Sequence, residues 1–242
     1  MRPDGRGNDK LRSVSIERNY IRHAEGSALI AFGATKVLCT ATVDERIPPF
    51  LKDRRQGWVT AEYAMLPRSS QERVPRDAVK KGRSLEISRF IGRSLRAVVD
   101  RTALGERQIL VDCDVIQADG GTRTASVTGA YIALHDALQH LRTQGKIETL
   151  PLLGQCAAVS LGIIEGEPRL DLCYEEDAVA EVDMNLVMRS DRTIIEVQGS
   201  AEGKPFDRSM LDELIDLGEK GMRKLFALQA EVLNRANCDA KH

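Results

Sequence analysis

No apolar run in this 242-residue chain approaches the ~20 residues needed to span a bilayer. The stretch from Met1 to Asn19 is polar and charged and lacks the apolar core of a signal peptide, so neither a membrane partner nor a secretory leader is expected. Cysteine is sparse and scattered: Cys39, Cys113, Cys156, Cys173 and Cys238 are odd in number and form no CxxC or Cys/His metal spacing. That excludes a disulfide scaffold and a zinc ribbon, and it predicts a reducing, cytoplasmic setting. There is no GxxxxGK[ST], which excludes a P-loop nucleotidase. No linker rich in Pro, Gly or Ser interrupts the chain, so one domain over 1–242 is expected, ending in a short polar tail at 237–242.

Charge is present but unevenly placed. Residues 1–124 carry 23 basic and 16 acidic side chains, and residues 125–242 carry 12 and 20, so halves of +7 and −8 make up the net −1. Such a split suits a basic surface for a polyanion and an acidic cluster elsewhere, although an ordinary solvated surface has the same charge count. The pattern of apolar residues predicts an α+β fold. Ser27–Phe32 and Lys36–Val43 read as a hairpin, Gly57–Leu66 and Gln108–Ile116 as strands, and Ser84–Asp100 and Thr124–Leu141 as helices. Pro67–Gly82 has no period and reads as an exposed loop. The second half repeats the plan. Cys156–Ile164 and Arg169–Tyr174 form a hairpin, Val182–Met188 and Thr193–Gln198 two strands, and Asp207–Ala236 a helix capped by Asp207. Two βαβα-like halves about a pseudo-twofold axis, sharing one core, are expected.

Three groups of residues carry chemistry. The first is Ala118 to Ser126, joining a strand to a helix. Gly121 lets backbone approach a ligand, the helix start offers unpaired N–H groups, Thr122, Thr124 and Ser126 offer hydroxyls, and Arg123 offers a planar cation. Together they suit phosphate; a Gly-Gly turn with a threonine cap is the plainer alternative. The second runs from Lys80 to Ser84 and continues with Arg89, Arg93 and Arg96 along one helix face. This could be a solvated basic face, but Arg83 stands where a cation opposes the helix dipole, which marks it as a second phosphate ligand. The third is acidic: Asp171, Glu175, Glu176, Asp177, Glu181 and Asp183. Carboxylates at strand ends suit Mg2+ or Mn2+ with retained waters, or a general acid, or simply an acidic turn.

Short motifs occur in a fixed order along nearly the whole chain. They include Met1 to Arg6, Ala24 to Ser27, Lys36 to Ala41, Gly57 to Tyr63, Met65 to Arg68, Gly82 to Ile87, Asp112 to Val115, Gln117 to Thr124, Glu181 to Asn185 and Ile195 to Gly203. In this order and spacing the chain resembles the ribonuclease PH family of phosphate-dependent 3′→5′ exoribonucleases, with a slightly shorter loop before Gly82. The resemblance implies the ribonuclease PH fold, a hexameric ring built as a trimer of dimers, and trimming of tRNA precursors. It implies that inorganic phosphate is bound by Arg83 and by Gly121, Thr122 and Arg123. It further implies that Asp177 and Asp183 form the catalytic, metal-holding pair, and that Arg68, Arg73 and Arg76 contact tRNA. Arg89, Arg93 and Arg96 are read as further RNA contacts. Related rings contain non-catalytic RNA-guiding subunits, and a metal-dependent hydrolytic nuclease could use similar carboxylates.

Overall fold

A computed structural model describes residues 2–80 and 82–235. Met1, Lys81, Ala236, Cys238 and the expected tail at 237–242 lie outside the described residues.

Five strands form the first sheet: β1 Val14–Arg18, β2 Gly26–Phe32, β3 Thr35–Asp44, β4 Trp58–Met65 and β5 Gln108–Gln117, in the order β1-β2-β3-β5-β4. β2 and β3 make the expected hairpin, with Phe32 opposite Thr35. β4 and β5 are parallel and need a crossover, which α1 (Gly82–Arg96) supplies. Its Ile87, Ile91 and Leu95 are wholly buried, as their spacing predicts. The one-turn α2 (Arg101–Leu104) then leads into β5, capped by the Asp100 carboxylate on the N–H groups of Thr102 and Ala103.

The second sheet is β6 Cys156–Ile164, β7 Glu167–Leu170, β8 Val182–Arg189 and β9 Ile194–Ala201, ordered β7-β6-β8-β9 and antiparallel throughout. The hairpin bends at Glu165–Gly166, so Glu167 and Pro168 belong to the strand rather than the turn. Pro168 is tolerated because β7 is an edge strand. The strand expected to reach Tyr174 stops at Leu170, and a one-turn helix, α4 (Tyr174–Asp177), follows.

Between the sheets lies α3 (Thr122–Thr143), packed on β2 and β3 on one side and β6 on the other. A helix flanked on both sides must be apolar all round. Accordingly Val127, Ala130, Ile132, Ala133, Leu134, Ala137 and Leu138 are all wholly buried. Truncating Leu134 or Leu138 to Ala costs about 2–5 kcal/mol. The last helix, α5 (Arg208–Asn234), covers β6 and β7, and Asp207 caps it by accepting from the Met210 N–H at 2.9 Å. One continuous apolar core includes side chains of both sheets and of α1, α3 and α5. Each half runs hairpin, strands, helix, but the β4–α1–β5 crossover has no counterpart between β8 and β9, which pair directly. No helix among the described residues is long and apolar enough to cross a membrane. Cys39, Cys113 and Cys156 are buried free thiols, packed as small apolar groups.

Candidate active site

The end of β5, the start of α3, the α4 turn and the start of β8 converge on a cleft of about 530 Å³. Arg83, Asp119 to Arg123, Asp177 and Asp183 line it, so residues from both acidic and basic constellations meet in one place. A volume of this size suits a small ligand or the end of a chain.

One wall is the turn before α3. Gly120 and Gly121 both adopt left-handed backbone, with φ of 72° and 65°. A Cβ at Gly120 would lie 2.6 Å from the Leu172 carbonyl oxygen, so the close approach of this turn to the second half also requires glycine. No side chain caps α3, whose first N–H groups lie beside Thr122 and Arg123 at the cleft. A turn of this kind before a long buried helix can serve an anion, because it offers backbone donors close to the positive end of the helix dipole. The Thr122 hydroxyl is fixed by the Tyr63 hydroxyl at 2.8 Å. Arg123 donates to the Gln198 side-chain oxygen at 3.0 Å and pairs with Glu86 at 3.3 Å, which holds its guanidinium at the cleft edge.

The other wall carries the carboxylates. Asp177 ends α4 with an open face, and Asp183 stands half-buried at the start of β8, in register with Gly162 and Ser200. Burial pushes the Asp177 carboxyl above its ordinary value, opposed by Arg83 and Arg123. Burial also pushes Asp183 up, the charge of Asp177 adds to this, and the same two arginines oppose it. Both arginines therefore act on both aspartates, although Arg83 comes from α1 and Arg123 from α3. Each aspartate is a hard oxygen donor, and no group of three or more candidate ligands occurs among the described residues. Two carboxylates alone could hold Mg2+ or Mn2+ only with waters and substrate oxygens as the remaining ligands.

Several sequence expectations need correction. Thr124 and Ser126 are buried, and their hydroxyls donate back to the Gly121 carbonyl at 2.9 Å and the Thr122 carbonyl at 2.8 Å, so neither reaches the cleft. Arg96 is not a free basic side chain. It donates to the Val59 carbonyl at 2.7 Å and lies over the Trp58 ring, its carbon 4.4 Å from the centroid. Arg93 pairs with Glu196 across the sheet edge, while Arg89 is exposed. Neither Arg89, Arg93 nor Arg96 lines the cleft. Arg68 and Arg73 are exposed in the loop after β4, whose Ser70, Gln71 and Glu72 border the cleft, whereas Arg76, also exposed, opens a short 3-10 helix, Arg76–Lys80, so the expected loop over Pro67–Gly82 is not irregular throughout.

Of the acidic cluster, Asp171 and Glu176 turn inward, to arginines near the start of the chain. Glu176 takes two bonds of 2.7 Å from Arg2, with Arg6 at 3.3 Å and Arg169 at 3.5 Å. Burial alone would raise its carboxyl, but the Arg2 bonds and the Cys173 N–H hold it at about 2. Asp171 is bound by the Arg12 backbone N–H at 2.7 Å and by the Arg12 guanidinium at 2.7 and 3.1 Å. The sequence motifs include Arg2, Arg6 and the cleft residue Asn185 but give them no role, and Arg12 and the cleft residue Ser160 carry no sequence signal at all.

The fold matches known structures throughout. A rice (Oryza sativa) Rrp46 structure superimposes with a TM-score of 0.78 at 20% identity, covering 96% of this chain and 100% of that one. A chain of the Archaeoglobus fulgidus exosome with RNA bound to the active site gives 0.79 at 26% identity, covering 93% and 91%. A chain of an archaeal exosome core gives 0.75 at 28%, covering 95% and 91%. Residues 10–138 match domain 1 of the 3′ exoribonuclease family, which ends inside α3, and residues 154–221 match its domain 2, which holds the second sheet. With both domains present in order on the ribonuclease PH fold, the chain belongs to the 3′ exoribonuclease family.

Proposed function

We propose that this protein is a phosphate-dependent 3′→5′ exoribonuclease that releases nucleoside 5′-diphosphates. One observation carries this reading: a glycine turn at a helix start, with two arginines, shares one cleft with a carboxylate pair. A hydrolytic nuclease needs the carboxylates but has no use for the anion site. A pure RNA-guiding subunit needs neither.

In the proposed reaction inorganic phosphate rests on the Gly120–Gly121 turn, the start of α3, Arg83 and Arg123. Its oxygen attacks the phosphorus of the terminal phosphodiester in line. The bond from that phosphorus to the 3′-oxygen of the preceding nucleotide breaks, and that oxygen takes its proton from Asp183 where its carboxyl is protonated, or from a water where Asp183 is ionised and holds the metal. The products are a nucleoside diphosphate and RNA shorter by one nucleotide with a free 3′-hydroxyl. Transfer of this kind depends on positioning and charge stabilisation, because two polyanions must meet. Asp177 and Asp183 would hold Mg2+ or Mn2+, which supplies positive charge at the transferred phosphoryl group. The bonds broken and formed are alike, so nucleotide addition from diphosphates also proceeds.

The substrate we assign is the 3′ end of tRNA precursors, and the assembly a hexameric ring. The exposed loop with Arg68, Arg73 and Arg76, bordering the cleft, supports the first; the likeness to a chain of an archaeal exosome core supports the second. RNA incubated with and without inorganic phosphate tests the reaction. Diphosphate products that require phosphate support it; monophosphates, or no product with either, refute it.

A further inference from the structure

The anion-binding turn works only if its backbone N–H groups are aimed at the cleft, and glycines cannot fix their own orientation. The anchors lie on the carbonyl side. Across a trans peptide the carbonyl and the following N–H point in opposite directions. Arg12 donates to the carbonyl of Asp119, and again to that of Gly120 at 3.4 Å, where the Thr35 hydroxyl also donates at 2.7 Å. Capturing these two oxygens turns the N–H groups of Gly120 and Gly121 away from Arg12. Neither N–H donates to a protein acceptor among the described residues.

Arg12 is itself locked. Its side chain is 4% exposed, and the carboxylate of Asp171, 2% exposed, takes its backbone N–H and two of its guanidinium bonds. A Cβ at Gly121 would lie 3.1 Å from its Nη2, so the guanidinium fills the space behind the turn. Asp119 completes the link by accepting the Tyr174 N–H of α4 at 3.2 Å, which ties the turn to the element that ends in Asp177.

We propose that Arg12 is a positioning residue for phosphate: held by Asp171, it orients the Gly120–Gly121 N–H groups without touching the ligand. This rests on the phosphate-dependent reading of the cleft. Arg6 is the matched control, because it joins the same buried network through Asp171 and Glu176 but touches neither Asp119 nor Gly120.

The test is calorimetric binding of inorganic phosphate to the full chain, for wild type, R12A, R12K and R6A, beside the melting temperature of each. Lysine keeps a charge for Asp171 but, with a single ammonium, cannot hold the carboxylate and both carbonyls at once. R12A and R12K are expected to bind phosphate about tenfold or more weakly, the effect of one to two lost hydrogen-bonding groups, while R6A binds like wild type even if it melts earlier. Affinity for a short oligoribonucleotide should not change. R12K that folds and binds phosphate like wild type overturns the proposal, and so does an equal loss in R6A, which would make the network merely structural. Should R12A not fold, R12K and R6A decide alone. A wild-type chain that binds no phosphate overturns this inference and the phosphorolytic reading together. One that binds phosphate yet releases monophosphates, with R12K impaired in binding, overturns only the latter.

Discussion

Replacing Glu176 with Gln keeps the shape of a buried side chain and removes its charge. In the native protein that charge faces three arginines, and the carboxyl is held at about 2 against an ordinary 4.5. A depression of this size corresponds to about 3 kcal/mol of stability. The folded-state value is lowered, so this contribution is complete above pH 4.5 and is lost as pH falls from 4.5 through 2. Glutamine leaves Arg2 buried without a counter-charge, and breaking one partner of such a pair costs about 3–5 kcal/mol. Urea unfolding at pH 7 should therefore place E176Q about 3 kcal/mol or more below wild type. The gap should narrow as pH is lowered from 4.5 toward 2, because wild type then loses the same charge by protonation. A cost below about 1 kcal/mol at pH 7, or a gap that does not change with pH, would refute the account, since the charge would then not be what holds the α4 turn.

R123A should raise the apparent phosphate constant about tenfold or more while leaving RNA affinity intact, and R83A should do likewise, as expected for loss of a charge-assisted bond of about 1.5–3 kcal/mol; steady-state kinetics with phosphate varied checks both. D183N should abolish turnover with RNA binding nearly unchanged, and filter binding beside single-turnover assays would expose any residual activity that removes Asp183 from its role. The triple variant R68A/R73A/R76A should weaken binding of tRNA precursors and flatten its salt dependence by roughly 0.7–0.9 of a slope unit per lost contact, yet spare a short oligomer; equal loss on both substrates would put the loop in the catalytic path. Light scattering should report a ring of more than two copies, and a fully active monomer would contradict the assembly.

Periodicity made much of this fold legible. Ile87, Ile91 and Leu95 announce α1, and the cap at Asp207 announces α5, because both signals are local. β1 went unread, although Val14-Ser15-Ile16-Glu17-Arg18 alternates, since charged neighbours mask so short a strand; its partial burial on β2 reveals it. α4 is a single turn, too short to have a period. The cleft was legible where motif and geometry agree, at Arg83, Gly121, Thr122, Arg123, Asp177 and Asp183. Failures came from side-chain partners that neither a motif nor a period reveals, most of them distant in the chain. A stripe of arginines shows a helix face but not that Arg96 will meet Trp58 and the Val59 carbonyl. An acidic run does not show that Asp171 and Glu176 will be claimed by Arg12 and Arg2, far away in the chain. Hydroxyls at a helix start do not reveal whether they will face a ligand or bond back to their own helix, as those of Thr124 and Ser126 do.

The helix between the two sheets gives the site a timetable. The anion-binding turn precedes α3, the carboxylates follow β7, and the arginine that braces the turn comes before β1. A ribosome emits these parts far apart in time. While only the first sheet has emerged, the turn lacks Asp171 to lock its brace, and α3 has one flank bare until β6 arrives. The carboxylate pair cannot stand opposite the turn until β8 has paired with β6. A half-made chain thus holds one wall of the cleft without the other, and the proposed reaction, which needs both, has no place to occur until the second sheet closes.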